Sequence, residues 1–206
     1  MIAHAPAPAA AVLDGYLEQL QRLHARLCPR QVLGLRMGLL AGDLLRLELP
    51  RPDKRLLALV ETDGCFADGV AVATGCWFGR RTLRLVDHGK VAVTFVDLHT
   101  EQAVRVWPDP RVRTHAWHYA ADAPSAWHAQ LVGYQRMPDH ELLRTAPVKL
   151  LAPPVRLLGP SPPRVSCAVC REEISNGREV TTGALCLCLG CAGQSYYRRL
   201  GGSGVG

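Results

Sequence analysis

Four cysteines near the C-terminus, Cys167, Cys170, Cys188 and Cys191, form two Cys-x-x-Cys pairs separated by seventeen residues. Each pair aims two sulfurs at one point, and four thiolates close the coordination of a tetrahedral Zn²⁺. The spacing therefore predicts a structural zinc site. Cys186 is a spare thiol, two residues before Cys188 and so on the same face of a strand. A second concentration of chemistry is the stretch ETDGCFADGVAVATGCWFGRRTLRLVDHGKVAVTFVD, Glu61 to Asp97, which holds Cys65, Cys76, Asp63, Asp68, Asp87, His88 and Lys90. Cys65 follows a short apolar run and an Asp-Gly turn, and it precedes the helix-like run Phe66–Thr74 that Gly75 ends. It falls at a strand-to-helix junction, where backbone N–H groups favour a thiolate.

A third set sits earlier. Val12, Leu13, Tyr16, Leu17, Leu20, Leu23 and Leu27 recur at helical steps, predicting an amphipathic helix from Ala11 to Leu27. On such a helix His24 and Cys28 lie one turn apart, on the apolar side, and can hold one metal together. Pro29 then breaks that helix or opens the next, which is expected to run to about Leu44. Gly34, Gly38 and Gly42 leave a bare stripe along this second helix, read as packing against the sheet. Arg36 on the same helix is a candidate anion contact.

Further elements place these groups. Strands are expected at Leu56–Thr62, Leu83–Val86, Val91–Val96, Ala103–Val106 and Val148–Leu150, the second and third joined through Asp87-His88-Gly89-Lys90. Arg111–Leu143 is helical in character, with Asp139 as a cap; its His115 and His118 read as packing residues. In the C-terminal part a hairpin about Thr182-Gly183 and a short helix, Cys191–Leu200, follow the first Cys pair, the order of a treble clef. The domain expectation is a leader over 1–10, an α+β core with a mixed or antiparallel sheet over 11–150, a Pro-rich linker over 151–163, a zinc finger over 164–200 and a tail over 201–206.

The 206 residues suit one core and a small appendage, and 48% hydrophobic with 20% charged is ordinary globular composition. No apolar run approaches the ~18 residues of a membrane span. The Ala/Pro-rich start reads as a leader and not as a signal peptide, so a reducing cytoplasm is expected, with metal binding favoured over disulfides for the eight cysteines. The net charge of +6 is scattered among 18 acids, which describes weak general basicity. The segment Tyr196-Tyr197-Arg198-Arg199 suits a protein or nucleic-acid partner.

CPRQVLGLRMG, ETDGCFADGVAVATGCWFGRRTLR, DHGKVAVTFVD and the paired Cys-x-x-Cys together resemble the FmdE family of formylmethanofuran dehydrogenase proteins, from about Leu20 to Tyr197. The resemblance implies an α+β core, a C-terminal treble-clef zinc finger and a homodimer. Its His-x-His-x-Cys-Pro pattern falls on His24, Arg26, Cys28 and Pro29, so an arginine stands where the family has its second histidine. Arginine cannot ligate a metal as histidine does, and it can instead hold an anionic substrate. Arg36 and Met37 also match the family's pattern.

Two readings follow. In the first, a metal-dependent enzyme or metal-handling protein, His24, Cys28 and Cys65 surround a second, core metal of a soft type. Cys65, Asp68 and Lys90 are then the catalytic candidates, and Arg26, Arg36, Cys76 and Asp87 the substrate contacts. In the second, a dimeric core presents zinc fingers to protein or nucleic acid, without catalysis.

Overall fold

A computed structural model describes residues 10–24, 26–153, 162–198 and 200. The expected leader over its first nine residues, Ala25, most of the linker, Arg199 and the tail lie outside the described residues. The chain divides into two compact units, Met1–Leu157 and Leu158–Gly206.

The first unit is a mixed α+β fold. Its elements are helices α1 (Ala10–Leu23) and α2 (Pro29–Leu45), strand β1 (Leu56–Val60), helix α3 (Cys65–Thr74), and strands β2 (Leu83–Leu85), β3 (Val93–Asp97) and β4 (Ala103–Pro108). Helix α4 (Val112–His115), a 3₁₀ turn (Ala116–Tyr119), helices α5 (Ala126–Arg136) and α6 (Asp139–Leu142) and strand β5 (Leu143–Val148) complete it. The strand order is β2-β1-β3-β4-β5, with β1 parallel to β2 and the other pairs antiparallel. All five residues of β1 and of β3 are buried, so the centre of the sheet is covered on both faces.

The segment Asp87-His88-Gly89-Lys90 joins β2 to β3, as expected. β1 lies between β2 and β3, so the segment linking them crosses the end of β1 and does not make a hairpin. The backbone N–H of Val86 donates to Val60 O, and those of His88 and Lys90 donate to Glu61 O at 3.0 and 3.1 Å. The last strand starts at Leu143 and not at Val148, because the helix before it is a single turn. Pro138 caps that turn; Asp139 lies inside it, with its carboxylate held by Arg36.

Helix α2 is the hub, touching α1, α3, α5, β3 and β4. Its glycine stripe packs chiefly on another helix, correcting the expected sheet contact. A methyl group at Gly34 would overlap the Phe66 carbonyl and approach Val70 N to 2.9 Å. A methyl at Gly69 would likewise overlap the Gln31 carbonyl and meet Leu35 N at 2.8 Å, and one at Gly38 would meet the Ala73 side chain. Positions 31–38 of α2 thus advance beside 69–74 of α3 in the same direction, backbone against backbone, which sets both N-termini at one end. Gly75 ends α3 in the left-handed region at φ 74°.

A second lock is Arg36. It is fully buried and donates to Tyr134 O at 2.7 Å, Met137 O at 2.8 Å and Asp139 Oδ1 at 2.7 Å. The guanidinium ties the α5–α6 connection to α2. It is a structural clamp, not an anion contact open to substrate. Burial pushes the Asp139 carboxyl up, with Arg36 opposing the rise.

Gly34→Ala should destabilise the core by about 1–3 kcal/mol or more, because overpacking against a backbone outweighs the ~1 kcal/mol gain in helix propensity. Gly15→Ala, exposed on α1 with nothing near its Cβ position, should be neutral or stabilising. Urea unfolding of both variants checks the pair; equal midpoints would show that the α2–α3 contact is not tight.

Candidate functional site

The N-termini of α2 and α3 bring together residues from three segments. Cys28 is the N-cap of α2, in an extended conformation at φ −131° and ψ 155°. Its backbone N–H donates to Gln31 Oε1 at 2.8 Å, which fixes the first turn of the helix. Cys65 is the first residue of α3, after Gly64 at φ 83°. Asp68 lies one turn further on, and its Oδ2 is 2.7 Å from His24 Nε2. All four side chains are half-buried, so the group is open to solvent.

His24 and Cys28 reach this place differently from the sequence expectation. α1 stops at Leu23, and His24 closes its last turn through a 3.1 Å bond from its N–H to Leu20 O. The two residues are therefore not neighbours on one helical face. The backbone before a proline avoids the helical region, so Cys28, ahead of Pro29, cannot continue α1.

The electrostatics of Cys65 also depart from expectation. Burial pushes its thiol up, the Cys28 thiol beside it and the Asp68 charge add to the rise, and the backbone hydrogen bond opposes them without prevailing. The thiol form is favoured until a cation arrives. Among the described residues, the only group of three or more His/Cys/Asp/Glu with all ligand atoms within 4.8 Å of one another is in the second unit. His24, Cys28 and Cys65 are near one another but do not converge as closely as the ligands of one metal would.

The remaining sequence candidates separate. Cys76 is buried, with its thiol donating to Leu56 O at 3.4 Å, and is a core residue, not a substrate contact. Asp87 and Lys90 are exposed on the loop that crosses the end of β1; Asp87 Oδ1 accepts from Gly89 N–H at 3.0 Å. That loop hangs on the Glu61 carbonyl, four residues before Cys65, and the Glu61 carboxylate is held by Arg105 at 2.6 and 2.7 Å. Arg26 is exposed between α1 and α2. Sequence reasoning missed Gln31 and the pairing of Asp68 with His24. Gln at the third position of a proline-opened helix is a capping signal that was legible. A separate groove of about 760 Å³, lined by Leu44, Leu45, Val104, Val148 and Leu151 among others, lies by the far end of α2 and offers no thiol or imidazole.

The second unit holds β6 (Val165–Ser166), β7 (Glu173–Ile174), β8 (Val180–Thr182), β9 (Leu185–Leu187) and one wide helical turn (Gly190–Gln194). β6 pairs with β7, so Cys167 and Cys170 occupy a knuckle between them; β8 and β9 form the hairpin through Gly183. The closing helix is shorter than expected, because Gly193 at φ 92° leaves the helical region. Cys167, Cys170, Cys188 and Cys191 place their sulfurs within 4.8 Å of one another, and Cys170 and Cys188 are 3.9 Å apart. Tetrahedral thiolates about 2.3 Å from one ion stand about 3.8 Å apart, so the set fits a metal. The N–H of Cys188 donates to Cys167 Sγ and brings that thiol down to about 6. Cys191 is pushed up to about 12, first by Cys188, then by burial and the other thiols. Such a cluster holds full charge only around a cation. Cys186 stands outside the set of four, its carbonyl accepting from Ala168 N–H at 2.8 Å.

Core and cluster together define an α+β protein carrying a small four-cysteine zinc-finger module. The chain belongs to the family described as FmdE, molybdenum formylmethanofuran dehydrogenase operon, whose pattern matches residues 23–144. A solved relative is a tungsten formylmethanofuran dehydrogenase FmdE-like protein from Syntrophus aciditrophicus. It is 28% identical, with a TM-score of 0.58 over 90% of this chain and 94% of that one. A probable S-adenosyl-L-methionine-binding protein of Archaeoglobus fulgidus is 37% identical over 98 residues, which are 46% of this chain and 27% of that protein. The chain therefore spans about a quarter of that curated relative. No helix among the described residues is long and apolar enough to cross a membrane.

Cys170→Ser should release the finger's metal and unfold the second unit while the first keeps its far-UV signal and melting transition. Cys186→Ser should leave metal content unchanged. Full metal retention in Cys170→Ser would refute the ligand assignment.

Proposed function

We propose that this chain is a metal-dependent protein acting on a small molecule, with its working centre at the cleft of His24, Cys28, Cys65 and Asp68. In this reading the finger holds a structural Zn²⁺. The observation that carries it is the meeting of two thiols at neighbouring helix N-termini, beside an imidazole already oriented by a carboxylate. Metal-binding histidines typically donate one ring N–H to such a partner and ligate through the other nitrogen. His24 Nε2 on Asp68 leaves Nδ1 for a metal.

Two thiols and an imidazole suit Zn²⁺, Fe²⁺ or Cu⁺ better than Mg²⁺. A three-ligand centre retains a position for substrate, where a metal polarises a carbonyl or activates water. Lys90 and Asp87, on the loop tied to Glu61, and Arg26 are the candidates for meeting the substrate. The finger is the part that does no chemistry, since four sulfurs leave no open position. The eight unpaired cysteines favour a reducing cytoplasm.

Metal content per chain tests this. Wild type loaded with Zn²⁺ should hold two equivalents; Cys28→Ser and Cys65→Ser should each hold one, with the finger intact. Wild type that binds a single equivalent, lost in Cys170→Ser and kept in Cys65→Ser, would end the core-metal reading.

The second reading, a dimeric interaction module, gains support from the exposed Trp77, Phe78, Trp117 and Trp127, and from Tyr196 and Tyr197 in the finger. Large exposed aromatics beside arginines are typical of interface cores. Homodimerisation is compatible with both readings. Sedimentation at micromolar concentration should show about twice the 22.4 kDa chain mass, and a monomer alone would rule the dimer out.

A further inference from the structure

We propose that the paired N-termini of α2 and α3 bind a small oxyanion of the carboxylate class, with the side-chain amide of Gln31 as its specific donor. This rests on reading the cleft as the working site and assigns the class of its ligand. Gln31 is fully buried, and its Oε1 accepts from the Cys28 N–H at 2.8 Å. An amide NH₂ cannot accept a hydrogen bond, so that contact fixes which way the group faces. Pinning Oε1 there keeps Nε2 over the first turn of α2, beside Cys28. Nε2 finds no acceptor among the described residues. A buried donor in that state carries a desolvation cost that an arriving acceptor recovers.

The surroundings say what kind of acceptor fits. α2 has 17 residues and α3 has 10, and they point their N-termini to the same end. Each end carries partial positive charge, and two such ends side by side favour an anion. Asp68 is the one acid in the cluster, and it is already engaged by His24. Arg26, exposed two residues from both His24 and Cys28, adds a cation. The Gln31 amide is wholly buried, so a ligand reaches it only by displacing the half-buried side chains beside it, which limits that ligand to a few atoms. A carboxylate has one oxygen for Gln31 Nε2 and a second left for the open position of a metal centre.

Formate is the probe, followed by ¹³C line broadening with the full-length, Zn²⁺-loaded protein. Wild type should bind it saturably. Gln31→Glu, which keeps an acceptor for the Cys28 N–H, should weaken binding about tenfold or more with zinc per chain near wild type, and Gln31→Leu, which also removes the cap, should weaken it at least as much. Formate that does not bind, or that binds wild type and both variants alike, overturns the proposal. Displacement by acetate but not by inorganic phosphate supports the carboxylate class; displacement by phosphate at equal or lower concentration overturns it. The same samples separate this inference from the metal reading. A wild type holding only the finger's zinc defeats the metal centre, while Gln31-dependent formate binding in that sample still upholds the oxyanion site.

Discussion

Everything in the core depends on two helices touching through their backbones. Gly34 and Gly38 on α2 and Gly69 on α3 remove the side chains that would hold the axes apart. Helices that run the same way at this separation have aligned dipoles, which is unfavourable unless something at their ends responds. Negative groups at the shared N-terminal end supply that response. Asp68 sits in the first turn of α3, and Cys28 and Cys65 occupy the cap of one helix and the first position of the other. The packing that stabilises the core therefore also sets two positive helix ends side by side, next to the Asp68 carboxylate.

Within that place, burial and charge compete, and the outcome depends on the occupant. For Cys65, desolvation leads, Cys28 and Asp68 reinforce it, and the backbone contribution is smaller. Without a cation the balance favours the thiol form of Cys65. A divalent ion held there, as proposed, would reverse the balance by stabilising both thiolates at once. Metal uptake by such a site is then coupled to pH and to ordering of its side chains.

Much of this is legible in the sequence, and the parts that are not have physical reasons. The finger's spacing carries its geometry because each Cys-x-x-Cys fixes two sulfurs locally. The Asp-Gly turn, the position of Cys65 and the stop at Gly75 are local as well. The overlong first helix comes from weighting periodicity above the proline at 29, although the residue before a proline avoids helical backbone. Strand order is beyond reach, since β1 separating β2 from β3 depends on partners remote in sequence. Arg36 misleads for the same reason: its acceptors lie 98 to 103 residues away, so an arginine on an apolar helix reads as an anion contact.

The two groups of cysteines sit in parts of the chain with different demands on their stability. A finger of about forty residues buries too little apolar surface to fold unaided, and a structural zinc contributes about 10–16 kcal/mol in comparable modules. Its four sulfurs converge because folding and binding there are one event. The core draws on another source of stability: its β1 and β3 strands are fully buried and its helices interlock through their glycines. Its packing therefore does not depend on the half-exposed His24, Cys28 and Cys65, which leaves those side chains free for the ligand exchange proposed for them.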